Sequence, residues 1–214
     1  MRKQLFIICS TSVLFATTAF AQRAEVFGDY TYMQYNPTIT GLQSRALHGG
    51  GGGAQLNFAK IFGLKAELQG YMSTQVSVDV TSPISTPRGI IPVGTYKSNA
   101  TMFSYLVGPV VRIPGKHIRP FGELLFGGVH TNLYAQLNSA VIANGGQSNV
   151  TAEAQHPFAM AFGGGLDLAI NKSVALRLGE FDWMLTRFTN VFTDTNNQNN
   201  FRYLAGVVFT FGGQ

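Results

Sequence analysis

A mixed set of ionisable side chains, Asp29, Lys65, Glu67, Glu123, Asp167, Arg177, Glu180, Asp182 and Arg202, stands scattered through stretches that are otherwise apolar or glycine-rich. Charges in such surroundings either form a catalytic or ion-conducting site, or neutralise one another in an enclosed interior, because an unpaired buried charge is strongly destabilising. The second reading is preferred: nothing beyond these same residues marks a proton or ion path. Other chemistry-bearing residues are few. His48, His117, His130 and His156 are too dispersed in sequence to form a metal motif, and the only cysteine is Cys9. The run Gly49 to Gly53 has the composition of a phosphate loop, but no Gly-Lys-Ser/Thr follows and no helical period begins there. It reads as small side chains where a sheet is crowded. No G-x-S-x-G is present. The sequence thus assigns no catalytic, cofactor-binding or metal-ligating residue.

The elements that must hold these charges are strands. Phe201, Tyr203, Ala205, Val207, Phe209 and Phe211 alternate with the smaller or more polar Arg202, Leu204, Gly206, Val208 and Thr210, a period of two that gives one greasy face. At roughly 3.3 Å per residue and a tilt near about 45°, this strand is long enough to cross a bilayer. The same alternation predicts strands over Val26–Met33, Gly49–Phe58, Leu64–Tyr71, Thr101–Arg112, Phe121–Val129, Phe158–Leu168 and Val174–Leu185. Two positions conflict with regular strands. Pro109 lacks a donor and calls for a bulge, and Arg177 has the opposite parity to Glu180 and Asp182, which a bulge near Gly179 corrects.

The connections alternate in length. Pro37–Leu47, Ser77–Ser98 (with Pro83, Pro87 and Pro92), Asn132–His156 and Thr189–Asn199 are long and polar, whereas Lys60–Gly63, Ile113–Arg119 and Ile170–Ser173 are short. This predicts an all-β protein, an eight-stranded antiparallel up-and-down transmembrane β-barrel with short periplasmic turns and long extracellular loops. An immunoglobulin-like sandwich has no such regular alternation.

Residues 1–21 read as a signal peptide: Arg2 and Lys3, the apolar stretch Leu5–Phe15, then Ala19-Phe20-Ala21 before Gln22. Residues 22–214 form the barrel domain. Cys9 falls within the removed segment, and Ile8 before it argues against a lipoprotein signal, so the mature chain is expected to hold no disulfide and no lipid anchor. No run of about 18 apolar residues follows the signal segment, so a membrane helix is excluded. Charged residues make up 12% of the chain, about half the roughly 25% of ordinary soluble domains. Loss of Arg2 and Lys3 lowers the formal charge from +5 by two, and the remaining basic residues are scattered, with no nucleic-acid footprint.

The opening Val26-Phe27-Gly28-Asp29-Tyr30, the central Pro120-Phe121-Gly122-Glu123 followed by Gly127-Gly128, the strand Ala161-Phe162-Gly163-Gly164-Gly165-Leu166-Asp167 and the closing Phe201-Arg202-Tyr203 to Phe211 together resemble the small eight-stranded outer-membrane β-barrels of Gram-negative bacteria, the OmpA-like, porin-family group. The pattern departs at the C-terminus, where Gly212-Gly213-Gln214 follow Phe211. The resemblance implies a monomer in the outer membrane, in contact with its lipid and lipopolysaccharide and handled by periplasmic chaperones and the barrel assembly machinery, with no nucleic-acid partner and no cofactor. It implies a non-enzymatic structural or surface-contact role. A narrow porin-like channel for small solutes is the first alternative. A lipid A-modifying acyl hydrolase is the second, but such a barrel uses a His with a Ser two positions on. Here His130-Thr131-Asn132 puts Asn132 at the nucleophile's place, with Glu153 as a conceivable orienting acid and Thr131 on the wrong face.

Overall fold

Alternating side chains build a closed sheet. The computed structural model describes residues 23–36, 44–86, 89–132, 139, 142–143, 145, 147–148, 156–188 and 196–212. Eight barrel strands run β1 Arg23–Tyr35, β2 Arg45–Asn57, β3 Phe62–Val80, β4 Gly94–Arg112, β5 Ile118–Thr131, β6 Phe158–Ala169, β7 Val174–Phe188 and β8 Asn196–Phe211. Each pairs antiparallel with its sequence neighbours, and β1 closes on β8 from Ala24↔Phe211 to Gln34↔Phe201. Closure leaves no sheet edge, which a sheet in hydrocarbon requires. The two faces differ as the sequence alternates: Phe162 and Trp183 point outward at 63% and 62% exposure, whereas Lys65 and Arg202 point inward at 0%.

So tight a barrel brings neighbouring backbones close, and glycine is needed where they meet. A Cβ at Gly163 would strike the carbonyl oxygen of Phe181 and the carboxylate of Asp182. At Gly70, by contrast, a Cβ would lie 3.6 Å from the Gly50 carbonyl, an ordinary contact.

The expected irregularity in the seventh strand is present. The register of β7 shifts between Arg177 and Glu180 against β8, and between Arg177 and Gly179 against β6. This extra residue turns Arg177, Glu180 and Asp182 all inward. The bulge expected at Pro109 is absent. β4 keeps one register along β3 through Leu64↔Pro109, and its pairing with β5 lapses after Val107↔Phe126 and resumes in the same register at Val110↔Glu123. A short gap in the ladder is enough to accommodate the missing N–H.

Several boundaries differ from the sequence expectation. β2 begins at Arg45 rather than Gly49, so Arg45–Leu47 are strand and not loop. Most of Ser77–Ser98 is paired as well: β3 and β4 are 19 residues each, and Val76↔Ser98 through Val80↔Gly94 form a ladder beyond the rest of the barrel, after a register shift between Ser73 and Val76. Short strands Ile84–Thr86, Gly89–Ile91 and Gln147–Ser148 make a separate three-stranded sheet over this hairpin. The alternation Val76, Val78, Val80 was already in the sequence, but Pro83, Pro87 and Pro92 outweighed it. β8 begins at Asn196, inside the expected last loop. The expected signal segment 1–21, most of the Asn132–His156 loop including Glu153, residues 189–195 and the final Gly213-Gln214 lie outside the described residues.

Gly163→Val is expected to lower the urea unfolding midpoint of refolded protein in lipid vesicles, by the 1–3 kcal/mol or so of an overpacked site. Gly70→Ala is expected to leave the midpoint unchanged or slightly raised.

Candidate functional site

Every inward charge predicted from the sequence faces the lumen, and all except the half-buried Asp29 are buried. Their centre is the Lys65 ammonium from β3. It donates to Glu123 of β5 at 2.9 and 3.0 Å and to Glu180 of β7 at 2.8 Å, and lies 3.0 Å from Glu67. The carboxylates of Glu67, Glu123 and Glu180 lie within 4.8 Å of one another, a spacing suited to a cation. Lys65 already supplies that cation, so the cluster is not a vacant metal site.

From this centre the pairing spreads through the barrel. The Arg202 guanidinium of β8 bridges Glu67 at 2.7 Å and Asp182 at 2.6 Å, and also donates to the Tyr71 hydroxyl at 3.3 Å. Arg177 joins Glu180 at 2.7 Å to Asp167 at 3.0 Å. Arg112 continues from Asp167 at 2.9 Å to Glu25 at 2.6 Å. Every barrel strand except β2 contributes a member. Phe27 and Phe121 face the same space, with the Arg177 guanidinium 4.8 and 4.6 Å from their ring centres and the Lys65 ammonium 5.0 Å from Phe27. Such cation–π contacts replace part of the hydration that the cations have lost. Asp29 stands apart, accepting from Gln69 at 2.7 Å.

Sequence reading missed Glu25 and Arg112. Glu25 lies just outside the first predicted strand, and Arg112 is the last residue of the fourth, next to a turn, where a charge is expected to meet solvent. It also missed an apolar half of the lumen. Toward the long connections, Met33, Leu47, Met102, Leu106, Leu125 and Met184 form a buried cluster that continues to Val80, Ile91 and Tyr96 of the β3–β4 hairpin. The outward greasy face is the stronger signal, and apolar residues on the inward face do not stand out against it.

The histidines remain separate from the lumen. His48 is exposed on β2, with the Tyr30 hydroxyl 2.6 Å from its Nδ1. His117 is exposed at the end of a short turn. His130 and His156 are brought together across the loop, ring centres 4.6 Å apart, but two imidazoles fall short of the three or four ligands of a zinc site. Around His130, Thr131 is buried on the opposite face and donates to the Thr101 carbonyl at 3.1 Å, and the Asn132 amide oxygen accepts from the Thr101 N–H at 3.0 Å. The Thr131 hydroxyl is therefore bonded away from the imidazole and is not placed as a nucleophile for it.

Among solved structures, the chain is similar to Neisserial surface protein A (NspA), with a TM-score of 0.57 and 12% identity over 88% of this chain and 97% of that one. It is also similar to the outer membrane protein OprG from Pseudomonas aeruginosa, with a TM-score of 0.56 and 11% identity over 90% and 97%. The fold is that of a small outer-membrane β-barrel. The barrel's own surface agrees, since an apolar exterior around a charged interior is stable only with lipid outside. No family model matches the sequence, and no curated protein does. No helix among the described residues is long and apolar enough to cross a membrane; the strands do so instead.

Replacing Arg177 with Leu leaves Asp167 and Glu180 short of a partner, and is expected to cost about 3 kcal/mol or more, read as a lower urea midpoint in vesicles. Lys65→Met should be at least as damaging, and adding Glu123→Gln to it should recover part of the loss by removing one of the stranded charges.

Proposed function

We propose that this protein is a non-enzymatic, monomeric barrel of the outer membrane, with a structural or surface-contact role rather than a transport one. The observation that carries this reading is the filled lumen. A connected set of ion pairs crosses the half near the short turns, and an apolar cluster fills the half near the long connections. An eight-stranded barrel has an interior just wide enough for side chains, and here side chains take it. The belt of exposed apolar residues would meet lipid and, on the outer leaflet, lipopolysaccharide. During export the chain would be handed from periplasmic chaperones to the assembly machinery. Partners of the cell's surroundings would meet the long connections, where function in such barrels resides. The geometry around His130 does not favour an acyl hydrolase.

Planar-bilayer recording separates the two transport outcomes. The refolded barrel is expected to give no conductance steps, and regular steps would replace the plugged reading with a narrow channel. Orientation has its own check. With no cysteine in the expected mature chain, Ile142→Cys should react in intact cells with a maleimide coupled to a large polymer, and Lys172→Cys should react only after the outer membrane is permeabilised. The reverse pattern would place the short turns outside.

A further inference from the structure

At the short-turn end the lumen opens into a cavity of about 410 Å³ whose charged lining is Arg23, Lys60, Arg112 and Arg119 against one carboxylate, Glu25. Arg23 and Arg112 are ion-paired, but both share Glu25, and donors of the four cations are left over. Arg112 directs its terminal nitrogens to Glu25 and Asp167, and its Nε is buried without a hydrogen-bond partner. Arg23 Nε lies 3.4 Å from Glu25 and is likewise buried without a hydrogen bond. Arg119 reaches only the carbonyl of Gly115, at 3.4 Å, and neither it nor Lys60 has an ion-pair partner among the described residues. Arg112 and Arg119 are close enough to Arg23 to oppose its charge.

We infer that this cavity binds a phosphate-bearing anion. Guanidinium groups present forked donors that match phosphate oxygens, and an anion among them relieves their mutual repulsion. Phe58 lines the same cavity and is 60% exposed, with Ile61 and Ile113 exposed in the adjoining turns. The site therefore sits where charge and an apolar surface meet, which suits the head group of an anionic phospholipid as well as a free phosphate.

The test uses the refolded wild-type barrel and the double variant Lys60→Gln/Arg119→Gln, whose side chains lie outside the lumen ion pairs; heat-modified gel migration confirms that both are closed. One arm reads retention of phosphatidylglycerol against phosphatidylcholine by native mass spectrometry, and the other titrates inorganic phosphate calorimetrically at constant ionic strength. The expected result is retention of phosphatidylglycerol over phosphatidylcholine that falls about tenfold in the double variant, on the scale of lost charge-assisted hydrogen bonds. Phosphate binding lost in the variant, without a lipid preference, supports the same site with a soluble occupant. Equal behaviour of wild type and variant in both arms overturns the inference, as does an equal loss in Lys172→Gln, which lies in another turn at the same end and would indicate only general surface charge.

Discussion

A sheet in hydrocarbon must satisfy its backbone within itself, so it closes, and closure at eight strands leaves a lumen just wide enough for side chains to fill. Charges placed there can be stabilised only by one another and by aromatic faces. The ammonium of Lys65 among three glutamates meets that condition most directly, and the remaining pairs extend outward from it. The bulge in β7 follows from the same demand. Without the extra residue between Arg177 and Glu180, one of these two would face lipid, and two of the central ion pairs would be lost. Irregular backbone here is the means by which side chains of mixed parity reach a single interior.

The lumen is divided. Ion pairs hold the half toward the short turns and apolar side chains the half toward the long connections. The apolar half also extends to the hairpin of β3 and β4 through Val80, Ile91 and Tyr96, and the Tyr96 hydroxyl donates to the Pro92 carbonyl at 2.8 Å. The hairpin is therefore packed against the barrel interior as well as continuing its wall, and the small sheet with Gln147–Ser148 ties it to the next connection.

Much of this was legible in the residue order because the two faces of a membrane strand differ so sharply. The period of two located the strands, and the conflict of parity at Arg177 located the bulge. Proline was the misleading signal. Pro109 suggested a bulge where the ladder only lapses, and Pro83, Pro87 and Pro92 hid the outer part of a hairpin whose valines alternate. Inward Leu106, Leu125 and Met184 were unreadable for a different reason: in a barrel with lipid outside, apolar character no longer distinguishes core from surface. The approach of His130 to His156, and the gathering of Arg23, Lys60, Arg112 and Arg119 at one mouth, depend on which strands become neighbours, and pattern along the chain does not carry that.

The lumen ion pairs also bear on the order of assembly. Lys65 meets Glu180 across 115 positions of sequence, and Arg202 meets Glu67 across 135. Neither contact can exist in a single hairpin, because each joins strands that are not neighbours in the sheet and meet only across the lumen. Until the wall closes, Lys65, Glu180 and Arg202 have only the partners on their own or the adjoining strand, Glu67, Arg177 and Asp182, and their remaining donors and acceptors stay hydrated, so much of the water leaves the interior in the step that seals the wall. Closure is then the cooperative event of folding, and opening the finished barrel means re-wetting the whole network at once.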